Sequence, residues 1–185
     1  RLGKSRRAGG VDMVVMIAGS MPPAVRGRSS GPKFRKGFGG CAFVMSREEK
    51  ESFVLALEEE LLKGGVILSE WATRISQEAV ECFLAGQHLA ALLTAVAAIE
   101  TQLRSEHSDP KTRLQDLINT ATLDDSLKSE IHVLRRYRNR WVHVAEPLAD
   151  DPLIQNPKAV EQDLFAMSRR TITAMMRVVF PVHWV

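Results

Sequence analysis

Hydrophobic residues recur at helical spacing along most of the chain after residue 45. Between residues 53 and 61 they return every three or four positions, and Gly64-Gly65 then interrupts the pattern. Ser46 followed by Glu49 is the capping-box arrangement, in which each side chain accepts a hydrogen bond from the other residue's backbone N–H. The pattern therefore predicts a first helix over about 47–63.

Two longer helical segments follow. The second predicted helix has Ser69 or a nearby residue as its cap and ends near Gly86. One of its faces carries Trp71, Ile75, Ala79, Cys82 and Phe83. The third runs from Gln87 to about Ser105. It is apolar almost all the way round between residues 89 and 99, which predicts a central buried helix.

The last part of the chain adds a short helix, two longer helices and a proline-rich link. Their predicted positions are a short helix from near Pro110 through Leu114, Leu117 and Ile118, a helix capped by Thr122, Asp124 or Asp125 that reaches about Val144, and a final helix from about Lys158 to just before Pro181. Three prolines within residues 147–157 predict an extended surface connection. No segment alternates convincingly like a strand, so we predict an all-α bundle of about five to six helices.

Charge divides the chain at Met45. The whole chain carries a formal charge of +3, but residues 1–44 hold nine Lys and Arg against one acid, and residues 45–185 are left with a net charge of −5. Nine of the twelve glycines also precede Met45. Backbone freedom and like charge together disfavour a packed core. We expect a disordered leader over 1–44, interpreted as sequence upstream of a natural start at Met45, and an all-helical domain over 45–185.

The remaining composition excludes several classes of protein. Cys41 and Cys82 form neither a disulfide framework nor a metal-ligand pattern, which favours a reducing, cytoplasmic location. The longest apolar run is shorter than the roughly 20 residues that cross a bilayer, so no membrane partner is expected. The histidines show no ligand spacing with carboxylates, so we expect no metal and no other cofactor. His132 and His183 are interpreted as ordinary surface or core residues.

The candidate chemistry lies between residues 131 and 143. Four arginines fall within six residues of an otherwise acidic domain, namely Arg135, Arg136, Arg138 and Arg140. A local cationic cluster of this kind is suited to an anionic ligand.

Arg138 interrupts an apolar stripe. On a helix it shares one face with Ile131, Leu134 and Trp141, so its guanidinium must pair with an acid, extend to solvent or line a cleft. One interpretation is purely structural, with Arg138 paired to an acid such as Glu100. Trp141 is interpreted as a core residue rather than a base-stacking one.

His143 does not share a helix face with Arg138, because five positions turn the helix by about 140°. The two converge only if the arginine curls round, if the helix ends near His143, or if a second subunit completes the site. A helix-end histidine that interacts with the C-terminal dipole is the structural interpretation.

The segment from Arg138 to His143, with Asn139 directly after the arginine, resembles the Arg-x(4–6)-His motif of the HEPN superfamily. The resemblance covers about residues 60–180. It includes the segment from Gly64-Gly65 to Trp71, the helix whose last residues are 97–104, and the proline-rich link after His143.

The resemblance implies a helical domain, usually dimeric, whose paired motifs face each other. In active members this is a metal-independent endoribonuclease, and many act as toxins or in defence. The implied roles are proton transfer by His143, phosphate binding by Arg138 and orientation by Asn139. Backbone contacts would come from Arg135, Arg136 and Arg140, with Glu100 as a supporting acid.

Other HEPN members are catalytically silent, so a second function stays open. In it the chain is a non-catalytic dimerisation or binding module whose arginines recognise an acidic protein, a nucleotide or a second copy. The expected partners are accordingly a second copy, RNA, and an antitoxin or other protein.

Overall fold

A computed structural model describes residues 14–15, 45–62, 67–107, 109–144 and 151–180. Its helices are α1 (Arg47–Leu61), α2 (Glu70–Leu84), α3 (His88–Ser105), α4 (Leu114–Thr120), α5 (Asp125–Val142), α6 (Asp151–Gln155) and α7 (Pro157–Val179). The predicted all-α class is confirmed. The described chain also contains one small antiparallel ladder, in which β1 (Val14–Val15) pairs with β2 (Ile67–Leu68).

Three helix starts carry the side-chain caps that the sequence predicts. Ser46 and Glu49 form a complete capping box, with Glu49 N donating to Ser46 Oγ at 3.2 Å and Ser46 N donating to Glu49 Oε2 at 2.6 Å. Ser69 accepts from Ala72 N at 3.0 Å. Of the three candidate caps for α5, Asp124 is the one used, and it accepts from Leu127 N at 2.8 Å. Each cap satisfies an N–H that the helix leaves unpaired.

A tight turn joins α2 to α3. Gly86 N donates to Phe83 O and Gln87 N donates to Cys82 O, which is the paired pattern of a Schellman motif. Gly86 has φ 78°, a left-handed conformation that favours glycine. Because the turn is so short, α3 begins at once and packs along α2.

The core is centred on α3, as predicted. This helix packs against both α2 and α7. Its buried apolar side chains are Ala91, Leu92, Ala95, Val96, Ala98, Ile99 and Leu103. Phe83, Ile131, Leu134 and Ile172 come from other helices and are likewise completely buried.

Polar contacts fix α5 against α7 in antiparallel register. Tyr137 Oη donates to Asp163 Oδ2 at 2.6 Å. Further along, Arg170 bonds Glu130 through two nitrogens, and Arg177 Nη2 lies 3.1 Å from Asp124 Oδ2. Residue numbers of the contacts rise along α5 while they fall along α7. The C-terminal end of α5 therefore lies beside the N-terminal half of α7.

Trp71 is not on the buried face of α2 with which the sequence grouped it. Its side chain is 75% exposed, whereas Ala72, Ala79 and Phe83 are completely buried. These three residues define the centre of the buried stripe, and at 100° per residue Trp71 lies about 100° from Ala72. The predicted apolar face of α2 was therefore too wide, because it included Trp71.

Two links differ from prediction. Pro110 lies in a turn before α4 rather than near its first residue, because Asp109 accepts from Lys111 N at 2.9 Å and from Thr112 N at 3.3 Å. The proline-rich link is not wholly extended, since it contains α6. Pro152 is the second residue of α6 and Pro157 the first of α7, and proline is tolerated in a helix's first turn.

Several predictions concern residues outside the described part of the chain. They are the disordered leader apart from Val14 and Val15, the Gly64-Gly65 stop, Cys41 and His183. Cys82 is described as a free, half-buried thiol. Within the described part, no helix has the combined length and apolarity needed to cross a membrane.

Candidate anion-binding site on α5

The site is built on the C-terminal half of α5. The helix buries Leu127, Ile131, Leu134 and Tyr137 against the rest of the bundle. Trp141 is partly buried and packs against this core, as predicted. With one face fixed in this way, Arg135, Arg136 and Arg140 lie on the remaining sides of the helix, whereas Arg138 lies within the apolar stripe.

Arg138 contacts Glu100 of α3. Its Nη2 lies 3.5 Å from Glu100 Oε2, and its side chain is 22% exposed. This is the pairing that the structural interpretation anticipated, but the distance is at the outer limit of a hydrogen bond. Arg138 therefore lies in the apolar stripe with one weak acidic contact.

Glu100 holds Arg104 much more closely. Arg104 Nη2 donates to Glu100 Oε1 at 2.6 Å. Arg104 Nη1 also donates to the carbonyl oxygens of Pro110 at 2.6 Å and Thr112 at 3.0 Å. Two guanidinium groups thus share one carboxylate, and Arg104 has the stronger set of contacts.

His143 ends the helix. Val142 is the last residue of α5, and His143 is its C-cap, with φ −123°, ψ 74° and its N–H donating to Asn139 O at 2.8 Å. The side chain of His143 is exposed and that of Asn139 is half-buried. The helix end at His143 meets one of the conditions for convergence with Arg138. Within the described chain no direct hydrogen bond links the two side chains.

The other three arginines of the cluster have no carboxylate within 4.0 Å among the described residues. Arg135 is half-buried, and its Nε is buried without a hydrogen-bond partner in the described chain. Arg136 is exposed. Arg140 is also exposed, and its Cζ lies 5.4 Å from the centroid of the Tyr137 ring, a cation–π distance.

Arginines elsewhere in the described chain are largely paired. Carboxylate partners are present for Arg47, Arg74, Arg104, Arg170 and Arg177. Arg135, Arg136 and Arg140 therefore place three positive charges without a close carboxylate on one helix of the described structure. Such a surface attracts anions.

Tyr137 and Asp163 support this site and were not found from the sequence. Burial and the hydrogen bond to Asp163 raise the pKa of Tyr137 to about 12. The phenol is therefore neutral at physiological pH and donates to the carboxylate. Arg140 lies over the Tyr137 ring. The hydrogen bond from Tyr137 to Asp163 of α7 therefore also helps to position Arg140. Tyr137 and Asp163 are 26 residues apart, so no local motif signals them.

His132 lies one turn before Arg136. Its Nε2 is 3.0 Å from Asn119 Oδ1 of α4. Burial together with nearby Arg135 and Arg136 lowers its pKa. Burial is the larger cause of this shift, and the positive charges of the two arginines add to it. The half-buried position agrees with the interpretation of His132 as an ordinary structural residue.

A second polar cluster lies in the core, with residues from α1, α3 and α7. His88 is 8% exposed, and its Nδ1 lies 3.3 Å from Ser168 Oγ of α7. Lys50 of α1 is 5% exposed, and its Nζ lies 5.8 Å from the Phe83 ring centroid. Burial, with Lys50 as a second cause, lowers the pKa of His88, while Glu161 opposes the shift. No grouping of three or more metal-ligating side chains occurs among the described residues.

The chain matches no protein-family model, no curated protein and no solved structure. The resemblance to HEPN domains therefore stays a prediction from the sequence.

Proposed function

We propose that the chain is a HEPN-type, metal-independent endoribonuclease whose site comprises Arg138, Asn139 and His143. The observation that carries the proposal is the contrast in charge pairing. Arg135, Arg136 and Arg140 lack acidic partners in the described structure, and the helix that bears them ends at an exposed imidazole. RNA supplies the phosphate that such a cluster binds.

The proposed chemistry needs proton transfer and anion stabilisation. The 2′-hydroxyl of RNA attacks the adjacent phosphorus, its proton passes to a base, and the 5′-oxygen of the next nucleotide leaves after it gains a proton. Imidazole is the side chain best suited to exchange protons near neutral pH, and His143 is exposed to do so. Arg138 would stabilise the negative charge that develops on the phosphate oxygens.

The remaining residues would bind and orient. Asn139 lies one helical turn before His143, and its carbonyl already anchors the His143 backbone. Its half-buried amide would orient the imidazole or a phosphate oxygen. Arg135, Arg136 and Arg140 would contact backbone phosphates independently of sequence. A second copy is the expected partner, and a reducing, cytoplasmic compartment is the expected location.

A specific observation also favours the non-catalytic alternative. Arg138 already contacts Glu100, and the exposed apolar side chains Val142 and Val144 flank His143. An exposed apolar edge beside a cationic cluster is suited to an acidic protein or a second copy as well as to RNA. In this alternative the arginines recognise a partner and cleave nothing.

Cleavage by the full chain separates the two functions. A fluorescent single-stranded RNA should be cut in the presence of EDTA, and His143→Ala should abolish cutting while circular dichroism and thermal unfolding stay unchanged. The control is His132→Ala, which removes another imidazole from α5 and should leave cleavage intact. Cutting that needs a divalent metal, or that survives His143→Ala, contradicts the nuclease. Absence of cutting with tight binding of an acidic protein supports the alternative.

A further inference from the structure

Glu100 contacts two arginines, Arg104 closely and Arg138 at a longer distance. Arg104 contacts it at 2.6 Å and also donates to two backbone carbonyls of the 109–112 turn. Three acceptors fix this guanidinium, so Arg104 has a structural role in joining α3 to the turn before α4. Its position does not depend on Arg138.

Arg138 is held far less firmly. Its one polar contact with a described residue is the hydrogen bond of 3.5 Å from Nη2 to Glu100 Oε2. A guanidinium has five N–H donors, so most of them have no described protein acceptor. Both side chains are partly exposed, Arg138 at 22% and Glu100 at 28%. A long, partly solvated ion pair is weak and exchanges easily for a better acceptor.

A phosphate group is such an acceptor. It presents two oxygens in the geometry that a guanidinium binds through parallel hydrogen bonds. One carboxylate shared between two guanidinium groups also leaves one positive charge uncompensated. That charge adds to those of the neighbouring arginines, which favours approach of an anion toward Arg138.

We propose that Glu100 is an internal counter-ion that holds Arg138 in a retracted position and yields it to a phosphate group of the ligand. The inference rests on the proposed function, because it regulates the same site. Glu100 would thus restrain the site: its carboxylate competes with the ligand for Arg138, and only a ligand with a strong anionic group displaces it.

The test compares two matched charge removals in the full chain. Glu100→Gln keeps an amide oxygen for Arg104 but removes the charge that competes for Arg138. Glu130→Gln removes the same charge from the α5–α7 pair with Arg170. Binding of a fluorescent single-stranded RNA octamer is measured by anisotropy in EDTA. We expect Glu100→Gln to tighten binding by about threefold or more, as loss of a weak competing ion pair implies, and Glu130→Gln to change it less.

A double variant assigns the effect to Arg138. Adding Arg138→Gln to Glu100→Gln should remove the gain, because the released donor is then absent. Thermal unfolding of each variant shows that the helices remain assembled. Equal affinities for Glu100→Gln and Glu130→Gln overturn the inference, as does a gain that persists without Arg138. Failure of every variant to bind the octamer overturns it too.

These outcomes are distinguishable from failure of the proposed function. Tighter binding in Glu100→Gln without any RNA cleavage supports the counter-ion and contradicts the nuclease. Cleavage that depends on His143, together with unchanged binding in Glu100→Gln, supports the nuclease and contradicts the counter-ion.

Discussion

Gly86 shows how one residue determines the meeting of two helices. It occupies the C′ position of α2 with φ 78°, and the two hydrogen bonds of the turn depend on that conformation. A Cβ at this position would lie 3.4 Å from Lys50 Nζ, an ordinary van der Waals distance. Space is therefore available for a side chain, and the obstacle to substitution is the backbone conformation.

We expect Gly86→Ala to lower the free energy of unfolding by about 1–2 kcal/mol, the cost of a left-handed conformation for a residue with a Cβ. Gly86→Asn should cost less, because asparagine tolerates this region better. Urea unfolding at neutral pH measures both. Equal losses in the two variants would show that crowding near Lys50, rather than φ, limits this position.

At the level of elements, α5 and α7 are joined by side-chain contacts of different quality. Tyr137 is a buried residue, and its hydroxyl donates a partly buried hydrogen bond to Asp163 at 2.6 Å. The Glu130–Arg170 contact is bidentate but more exposed. Exposed ion pairs contribute little to stability, whereas a buried hydrogen bond to a charged group contributes more.

Tyr137→Phe should therefore lower the free energy of unfolding by about 1 kcal/mol, because it removes the hydroxyl and keeps the ring under Arg140. Glu130→Gln should cost less, within about 0.5 kcal/mol. Urea unfolding of the two variants at pH 7 gives the comparison. A larger loss in Glu130→Gln would mean that the exposed ion pair, and not the phenol, holds α5 against α7.

Local signals account for what could be predicted of these elements. Ser46 and Asp124 cap helices through residues three positions away, and the buried α3 follows from its continuous apolar surface. Contacts between distant residues leave no such signal. Ser168 and His88 are 80 residues apart. Their meeting depends on how α3 and α7 pack, which periodicity does not specify.

The same distinction applies to the candidate site. The cluster from Arg135 to His143 is contiguous, so the sequence identifies it, and the end of α5 at His143 lies close to its predicted boundary. Arg104 and Arg138 both contact Glu100 because α3 packs against α5 and because the carbonyls of the turn before α4 hold Arg104. That geometry exists only in the folded chain. Whether the other three arginines have an acidic partner likewise depends on the fold, and in the described structure they have none.

On the scale of the whole molecule, His88 lies where four helices meet. Lys50 approaches from α1, Phe83 from α2, and Phe165 and Ser168 from α7, while His88 belongs to α3. Glu161 of α7 is the acid that acts on the imidazole, and it opposes the effect of Lys50. Protonation of His88 would place a second positive charge in this junction, close to a lysine that is itself buried.

Stability should therefore fall in mild acid. Burial and Lys50 lower the pKa of folded His88 below the ordinary value of 6.5, so the unfolded chain binds this proton more readily. The contribution of His88 to the free energy of unfolding is complete above about pH 6.5. It is lost as the pH falls from the pKa of His88 in the unfolded chain toward its lower pKa in the folded chain, by at most about 1.4 kcal/mol per pH unit for one proton. His88→Gln removes this titration. The loss in unfolding free energy between pH 7.5 and 5.5, measured by urea denaturation, should be larger for the native chain than for the variant. Equal losses would show that His88 protonation does not couple to folding.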